Sequence, residues 1–229
     1  MNITFEQDYK SIKDEVGLFV DEVIDAIEMN PEKQELCKGW RIMYSPLIYK
    51  PEIMFIGINP GAGWEGTDLE HNDKKRLEYL DFDDYKYTLA RETKEVFQKI
   101  NAFHLLEKSV KTNYYYVITT REKALYEITD FLGRGNESLL GERFFTNSRK
   151  WTQKLIEISQ PKIIICEGSQ AFANVTDLYV AGEKLKEDCE ELFIDDLNST
   201  VIGYKRNSFG GIKNKEMFAE VLKKVIFQY

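Results

Sequence analysis

IMFIGINPGAGW, residues 53–64, passes from an unbroken apolar run into Asn59-Pro60-Gly61. A continuous apolar and glycine run from Ile53 to Ile58, bounded by turn formers, is the pattern of a strand buried on both faces, as in a parallel sheet. Pro60 ends the ladder, and Gly61 and Gly63 permit positive φ, so the backbone can bend and approach a ligand closely. In α/β folds the carboxyl end of such a strand is where sites are mounted, and Asn59 stands there. A buried strand with an ordinary tight turn gives the same pattern.

Gly61-Ala62-Gly63-Trp64-Glu65-Gly66 also satisfies G-x-G-x-x-G. A dinucleotide site needs a helix starting within the glycines and an acidic ribose ligand about 20 residues later. Thr67 to Asp84 is instead polar and acidic, and its charges repel a pyrophosphate. A nicotinamide- or flavin-dependent enzyme is therefore the minor alternative.

Working outward, Ser11 to Ile27 opens with a Ser-x-x-Asp capping pattern and repeats Ile12, Val16, Phe19, Val20, Val23 and Ile27 at helical spacing. Trp40 to Tyr49 reads as a short strand or an extended approach to Pro51. A helix is predicted from about Ala90 to Glu107, with short β-like runs at Asn113–Thr119 and Arg143–Thr146. RKWTQKLIEISQ (149–160) reads as a helix stopped by Pro161, leading into the strand Lys162–Cys166 and a turn at Gly168 into another helix. Leu192–Ile194 and Thr200–Tyr204 are strand candidates, and Lys215–Phe227 is a closing helix. Alternating strand and helix predicts a three-layer α/β/α fold with a central, mainly parallel sheet.

The 229 residues contain no Pro/Ser/Gly-rich linker, which predicts one domain over 1–229, with residues 1–50 a helical amino-terminal extension. No run approaches the ~20 apolar residues of a membrane span, and the first residues lack a signal-peptide core, so a cytoplasmic protein without membrane partners is expected. Cys37, Cys166 and Cys189 are scattered, and His71 and His104 stand apart. Neither set has the spacing of metal ligands or of a His-dependent triad, so no metal is expected. The formal charge of -8 weighs against binding through phosphates, although Lys205, Arg206, Lys213 and Lys215 form a local basic cluster.

Several segments, in order, resemble the uracil-DNA glycosylase superfamily. Gly57-Ile58-Asn59-Pro60-Gly61 is similar to the first motif of its mismatch-specific uracil and thymine-DNA glycosylase branch. Lys94–Ser109 resembles the helix after that motif, and Phe145-Thr146-Asn147 a central strand ending in Thr-Asn. RKWTQKLIEISQPKIIICEGSQAF resembles a helix–strand–helix passage, and GYKRNSFGGIKNK (203–215) occupies the place of the closing catalytic loop. The likeness spans roughly residues 50–229.

The resemblance implies a glycosylase-like hydrolase that removes uracil or a related damaged or modified base from single-stranded or duplex DNA, without a cofactor. Base excision requires an extruded nucleotide, a water near the anomeric carbon and donors for charge developing on the leaving base. Asn59 is then the candidate that orients water, an amide being able to position a water but not to act as a strong base. Gly57, Ile58, Pro60 and Gly61 shape the strand end. Asn147 is the candidate base reader, offering donor and acceptor together, and is equally a helix N-cap. Trp64 could stack on the base or anchor its loop.

The closing loop carries Arg206-Asn207-Ser208 where the family has His-Pro-Ser or Asn-Pro-Ser. Arg206 and Ser208 are candidate catalytic groups, with Arg206 able to stabilise an anionic base, hold a phosphate or sit solvated, and Asn207 is a candidate substrate contact. Phe209 is a candidate wedge into the base stack, or an anchor for the last helix. Lys205, Lys213 and Lys215 are candidate DNA contacts, and the acidic insert 65–84 has no counterpart in the family. A repurposed superfamily member that binds nucleic acid, nucleotide or protein without catalysis is the alternative.

Overall fold

The computed structural model describes residues 3–28, 33, 36–60, 76–81, 87–119, 122–133 and 138–227. In chain order the elements are α1 (Ile3–Glu28), β1 (Cys37–Trp40), β2 (Ile53–Gly57), α2 (Glu78–Asp81), α3 (Thr88–Lys99), α4 (Phe103–Leu106), β3 (Val110–Asn113), β4 (Val117–Thr119), α5 (Glu122–Leu132), α6 (Ser138–Ser159), β5 (Ile163–Glu167), α7 (Ser169–Thr176), β6 (Cys189–Ile194), β7 (Ser199–Tyr204) and α8 (Lys215–Phe227). They sort into two units interleaved along the chain.

The unit formed by Met43–Ile58, Asp73–Thr112 and Ser159–Tyr229 holds a five-stranded sheet in the order β3-β2-β5-β7-β6. β2 runs parallel to β5 and β5 parallel to β7, while β6 lies antiparallel to β7 at one edge. All residues of β2, β5 and β7 are buried, which is why these strands read as apolar runs rather than as alternating patterns.

Successive side chains point to opposite faces of the sheet. On one face Phe55, Ile165, Ile202 and Tyr204 share a core with Phe97 of α3 and Phe218 and Leu222 of α8. On the other, α7 seats directly on β7 at Gly203, where an added Cβ would lie 2.3 Å from the Phe172 ring. Helices therefore cover both faces, giving a three-layer α/β/α architecture with a mixed, mostly parallel sheet.

The second unit, Met1–Ile42, Asn59–Asn72 and Asn113–Ile158, contains α1, α5, α6 and the antiparallel pair β1–β4. Phe5, Tyr9, Ile12, Val16, Phe19, Val23 and Ile27 bury one stripe of α1. Phe19 packs on Phe144 and Trp151 of α6 at ring distances of 6.2 and 5.6 Å. The helical repeat reaches back to Phe5, so α1 starts at Ile3 and Ser11 is an interior exposed residue rather than its cap. Among the described residues no helix is long and apolar enough to cross a membrane.

Two predicted elements are redrawn. The helix expected over Ala90–Glu107 breaks at Ile100–Ala102, where Asn101 takes a positive φ of 60°, and resumes as the short α4. The β-like run Arg143–Thr146 is helix, inside the 22-residue α6. Phe144, Ser148, Trp151, Thr152, Leu155 and Ser159 bury one face of α6, and that repeat over several turns outweighs four residues of local β character.

Candidate functional site

In a parallel sheet the chain leaves toward the next element at the carboxyl ends of the strands, and there the sheet-bearing unit holds the buried charged residue Glu167 and its partners Lys111 and Glu78. Glu167 ends β5 and Tyr204 ends β7, and the two are register partners on adjacent strands. Glu167 is fully enclosed. Its Oε1 accepts a hydrogen bond from the Tyr79 hydroxyl, and its Oε2 pairs closely with Lys111 Nζ from β3. Lys111 Nζ also donates to the Tyr79 hydroxyl at 2.8 Å, lies 3.5 Å from Glu78 Oε1, and sits 4.5 Å from the Tyr79 ring centroid.

Burial disfavours charge on either partner of this pair. It pulls Lys111 down to about 8, against the opposing field of Glu78, and pushes Glu167 well above the usual carboxylate range, reinforced by Glu78 and opposed by Arg206. The Tyr204 hydroxyl is buried with no hydrogen-bond partner among the described residues. Burial raises its pKa strongly, with the Glu167 charge adding to the effect and Arg206 opposing it.

Two residues beyond β7, Arg206 lays its stem over Gly168, whose φ of +122° and missing side chain leave room at 3.5 Å from where a Cβ would stand. Its Nε and Nη2 both donate to the Gly210 carbonyl, at 2.9 and 2.7 Å. The loop that follows is a tight hydrogen-bonded turn. Asn207 Oδ1 accepts from the backbone N–H of Phe209 and of Gly211, at 2.9 and 3.0 Å, and the Gly210 N–H returns to the Asn207 carbonyl at 3.0 Å. Glu92 of α3 closes the far side by accepting from the Ile212 N–H at 2.6 Å, while a Cβ on Gly211 would stand 2.3 Å from that carboxylate. Ser208 and Phe209 occupy the tip, with Phe209 87% exposed. Phe209 is thus not an anchor for α8, and Asn207 does by hydrogen bonding what a proline does by covalent restraint.

Asn59 follows β2 by two residues and belongs to the other unit. It is half-buried, and its Nδ2 donates to Thr119 Oγ1 at 2.7 Å and to the Pro60 carbonyl at 3.3 Å. The Thr119 N–H ties the same turn through the Pro60 carbonyl at 3.1 Å. This fixes the donor end of the amide and leaves Oδ1 as the acceptor. Gly57 is the last residue of β2, Ile58 is half-buried and Pro60 buried. Gly61, Trp64, the rest of the glycine-rich pattern and residues 65–75 and 82–84 of the acidic insert lie outside the described residues.

Asn147 is a half-buried residue in the middle of α6. It neither ends a strand nor caps a helix, because the 3.6-residue repeat of α6 runs through it. The three lysines expected to face DNA are paired with carboxylates of their own surface. Lys213 and Lys205 lie 3.0 and 3.9 Å from Asp188 Oδ1, and Lys215 lies 2.7 Å from Glu95 Oε2. Such exposed pairs are weak and open readily, yet the basic patch is smaller than the sequence suggests. Among the described residues no group of three or more His, Cys, Asp or Glu side chains is placed to hold a metal ion.

No protein-family model matches the chain. No curated protein matches it either. The site therefore rests on its own geometry, and the polar network of Lys111, Glu167, Glu78 and Tyr79 is the part that sequence reading missed. Its one visible signal is Glu167 at the end of the apolar strand IIICE, whereas Lys111 in VKTN stands among polar residues. A buried charge is costly unless paired, so each such residue implies a partner that sequence alone does not name.

Proposed function

We propose that this protein is a hydrolase of uracil-DNA glycosylase type, removing uracil or a related damaged or modified base from DNA. The observation that carries the reading is the loop after β7. A pre-formed turn at the carboxyl end of a parallel strand holds an almost fully exposed aromatic ring beside a guanidinium whose Nη1 is left over from its bonds to Gly210. Those are the two groups that extruding a base requires, one to fill the gap in the stack and one to meet negative charge.

In this reading Phe209 enters the stack, and Arg206 stabilises the departing base or a flanking phosphate. By the resemblance of its motif alone, the Asn59 amide is the candidate for orienting the attacking water, with Oδ1 as the acceptor. Rate then comes from positioning and leaving-group stabilisation rather than from a strong base. Asn147 is given no part.

A binding protein of the same ancestry, without catalysis, is the second reading. It is favoured by the self-paired state of Lys205, Lys213 and Lys215 together with the -8 formal charge. A single-turnover excision screen on single- and double-stranded oligonucleotides carrying uracil, mismatched thymine, hypoxanthine or modified pyrimidines separates the two. Abasic product on any of these substrates, lost in Arg206→Ala, supports the hydrolase. Binding at low salt without product supports the second reading, and neither binding nor product removes both.

A further inference from the structure

β6 is the edge of the five-stranded sheet, paired only with β7 among the described residues. Beside it lies a groove of about 570 Å³. Its lining comes from both faces of the sheet. Glu191 shares a face with Cys189 and reaches Lys224 on α8, whereas Glu190 and Leu192 point to the opposite face, the side of Phe172. A cavity walled by side chains from both faces of one strand must lie outside that strand, in the plane of the sheet. That is the place a further strand would take, with its alternate side chains entering the two walls.

Two features say what would fill it. Four glutamates, Glu183, Glu190, Glu191 and Glu220, line the groove against two lysines, Lys186 and Lys224; the Glu190 carboxylate already accepts from the backbone N–H groups of Lys186 and Glu187, at 3.0 Å each, which leaves Glu183 and Glu220 as the exposed carboxylates facing an incoming cation. Glu191 Oε1 is held by Lys224, but its Oε2 is buried without a hydrogen-bond partner among the described residues. A buried carboxylate oxygen of that kind requires a donor. We propose that this groove is a docking site for an extended, basic peptide segment of another protein, which adds to β6 as a sixth strand and gives Glu191 a donor. A second copy of the chain fits worse, because self-pairing along β6 would bring the same glutamates together. The proposal is independent of base excision.

The test uses a fluorescently labelled Lys-Val-Lys-Val-Lys-Val peptide, its Glu-Val counterpart, and two forms of the basic peptide N-methylated on one or the other edge. Anisotropy should show saturable binding of the basic peptide only, weakened roughly tenfold or more in Glu183→Lys/Glu220→Lys, two exposed positions whose replacement leaves the fold intact. One N-methylated form should bind and the other should not, and residues 189–194 should exchange amide hydrogen more slowly when peptide is bound. Equal binding of acidic and basic peptides, or indifference to N-methylation of either edge, overturns the proposal. Self-association that rises with protein concentration and blocks peptide binding would overturn it in favour of a second copy.

Discussion

Replacing Lys111 by methionine keeps the length and most of the volume of the side chain and removes its charge. The residue is 3% exposed, and its ammonium is the cation in contact with both Glu167 and Glu78. Breaking a buried pair by removing one partner costs up to about 3–5 kcal/mol, the upper figure applying if Glu167 kept its charge instead of taking up the proton that burial favours. With a urea dependence near ~3 kcal/mol per molar, the midpoint of unfolding should fall by up to roughly 1–1.7 M. Adding Glu167→Gln should recover much of that loss, since a neutral amide still accepts from the Tyr79 hydroxyl.

The pH dependence carries a second signature. Folded Lys111 titrates near 8, against 10.5 for an ordinary lysine. Between those values the unfolded chain holds a proton that the native chain has released, so stability rises with pH across that window. Glu167 works in the opposite direction: its folded pKa is raised, so its contribution falls as pH climbs above about 4.5. Equilibrium urea unfolding between pH 4 and 10.5 should therefore show the stability of the wild type gaining on that of Lys111→Met between about pH 8 and 10.5, over a decline above pH 9 that the buried thiols of Cys166 and Cys189 impose on both proteins alike. A variant within ~1 kcal/mol of wild type with the same pH profile would refute the charge balance assigned to this network.

Gly211→Ala places a methyl against Glu92 and should cost about 1–3 kcal/mol, read as a lowered thermal midpoint; an unchanged midpoint would mean the loop does not close on α3. Asn207→Ala removes the acceptor that organises the turn, so amide exchange at Phe209 and Gly211 should accelerate, whereas Asn207→Asp should leave both amides protected. If base excision is detected, Asn59→Ala should lower the single-turnover rate far more than DNA affinity, and full activity would remove its role in orienting water. Lys213→Ala/Lys215→Ala should weaken any DNA binding across sequences and flatten its salt dependence, and unchanged binding would place the DNA face elsewhere.

The strands β2, β5 and β7 and the helices α1 and α8 were legible in the chain because each carries a long or unbroken apolar signal whose period needs no partner to be read. The parallel sheet followed from their alternation with helices. The place of Asn59 after β2 and of Arg206 after β7 was legible for the same reason. What the tertiary structure decided is whatever depends on neighbours far along the chain. Four residues around Phe144 look like a strand until the buried stripe of α6 is seen whole, and with that stripe Asn147 loses both its strand-end and its helix-cap placement. Lys213 reads as a free cation until Asp188, 25 residues earlier, is found beside it. Lys111 and Glu167, 56 residues apart, read as unrelated charges until the sheet brings their strands together. Periodicity is a local property of sequence, whereas charge pairing, desolvation and the filling of buried hydrogen bonds belong to residues that only the fold makes adjacent.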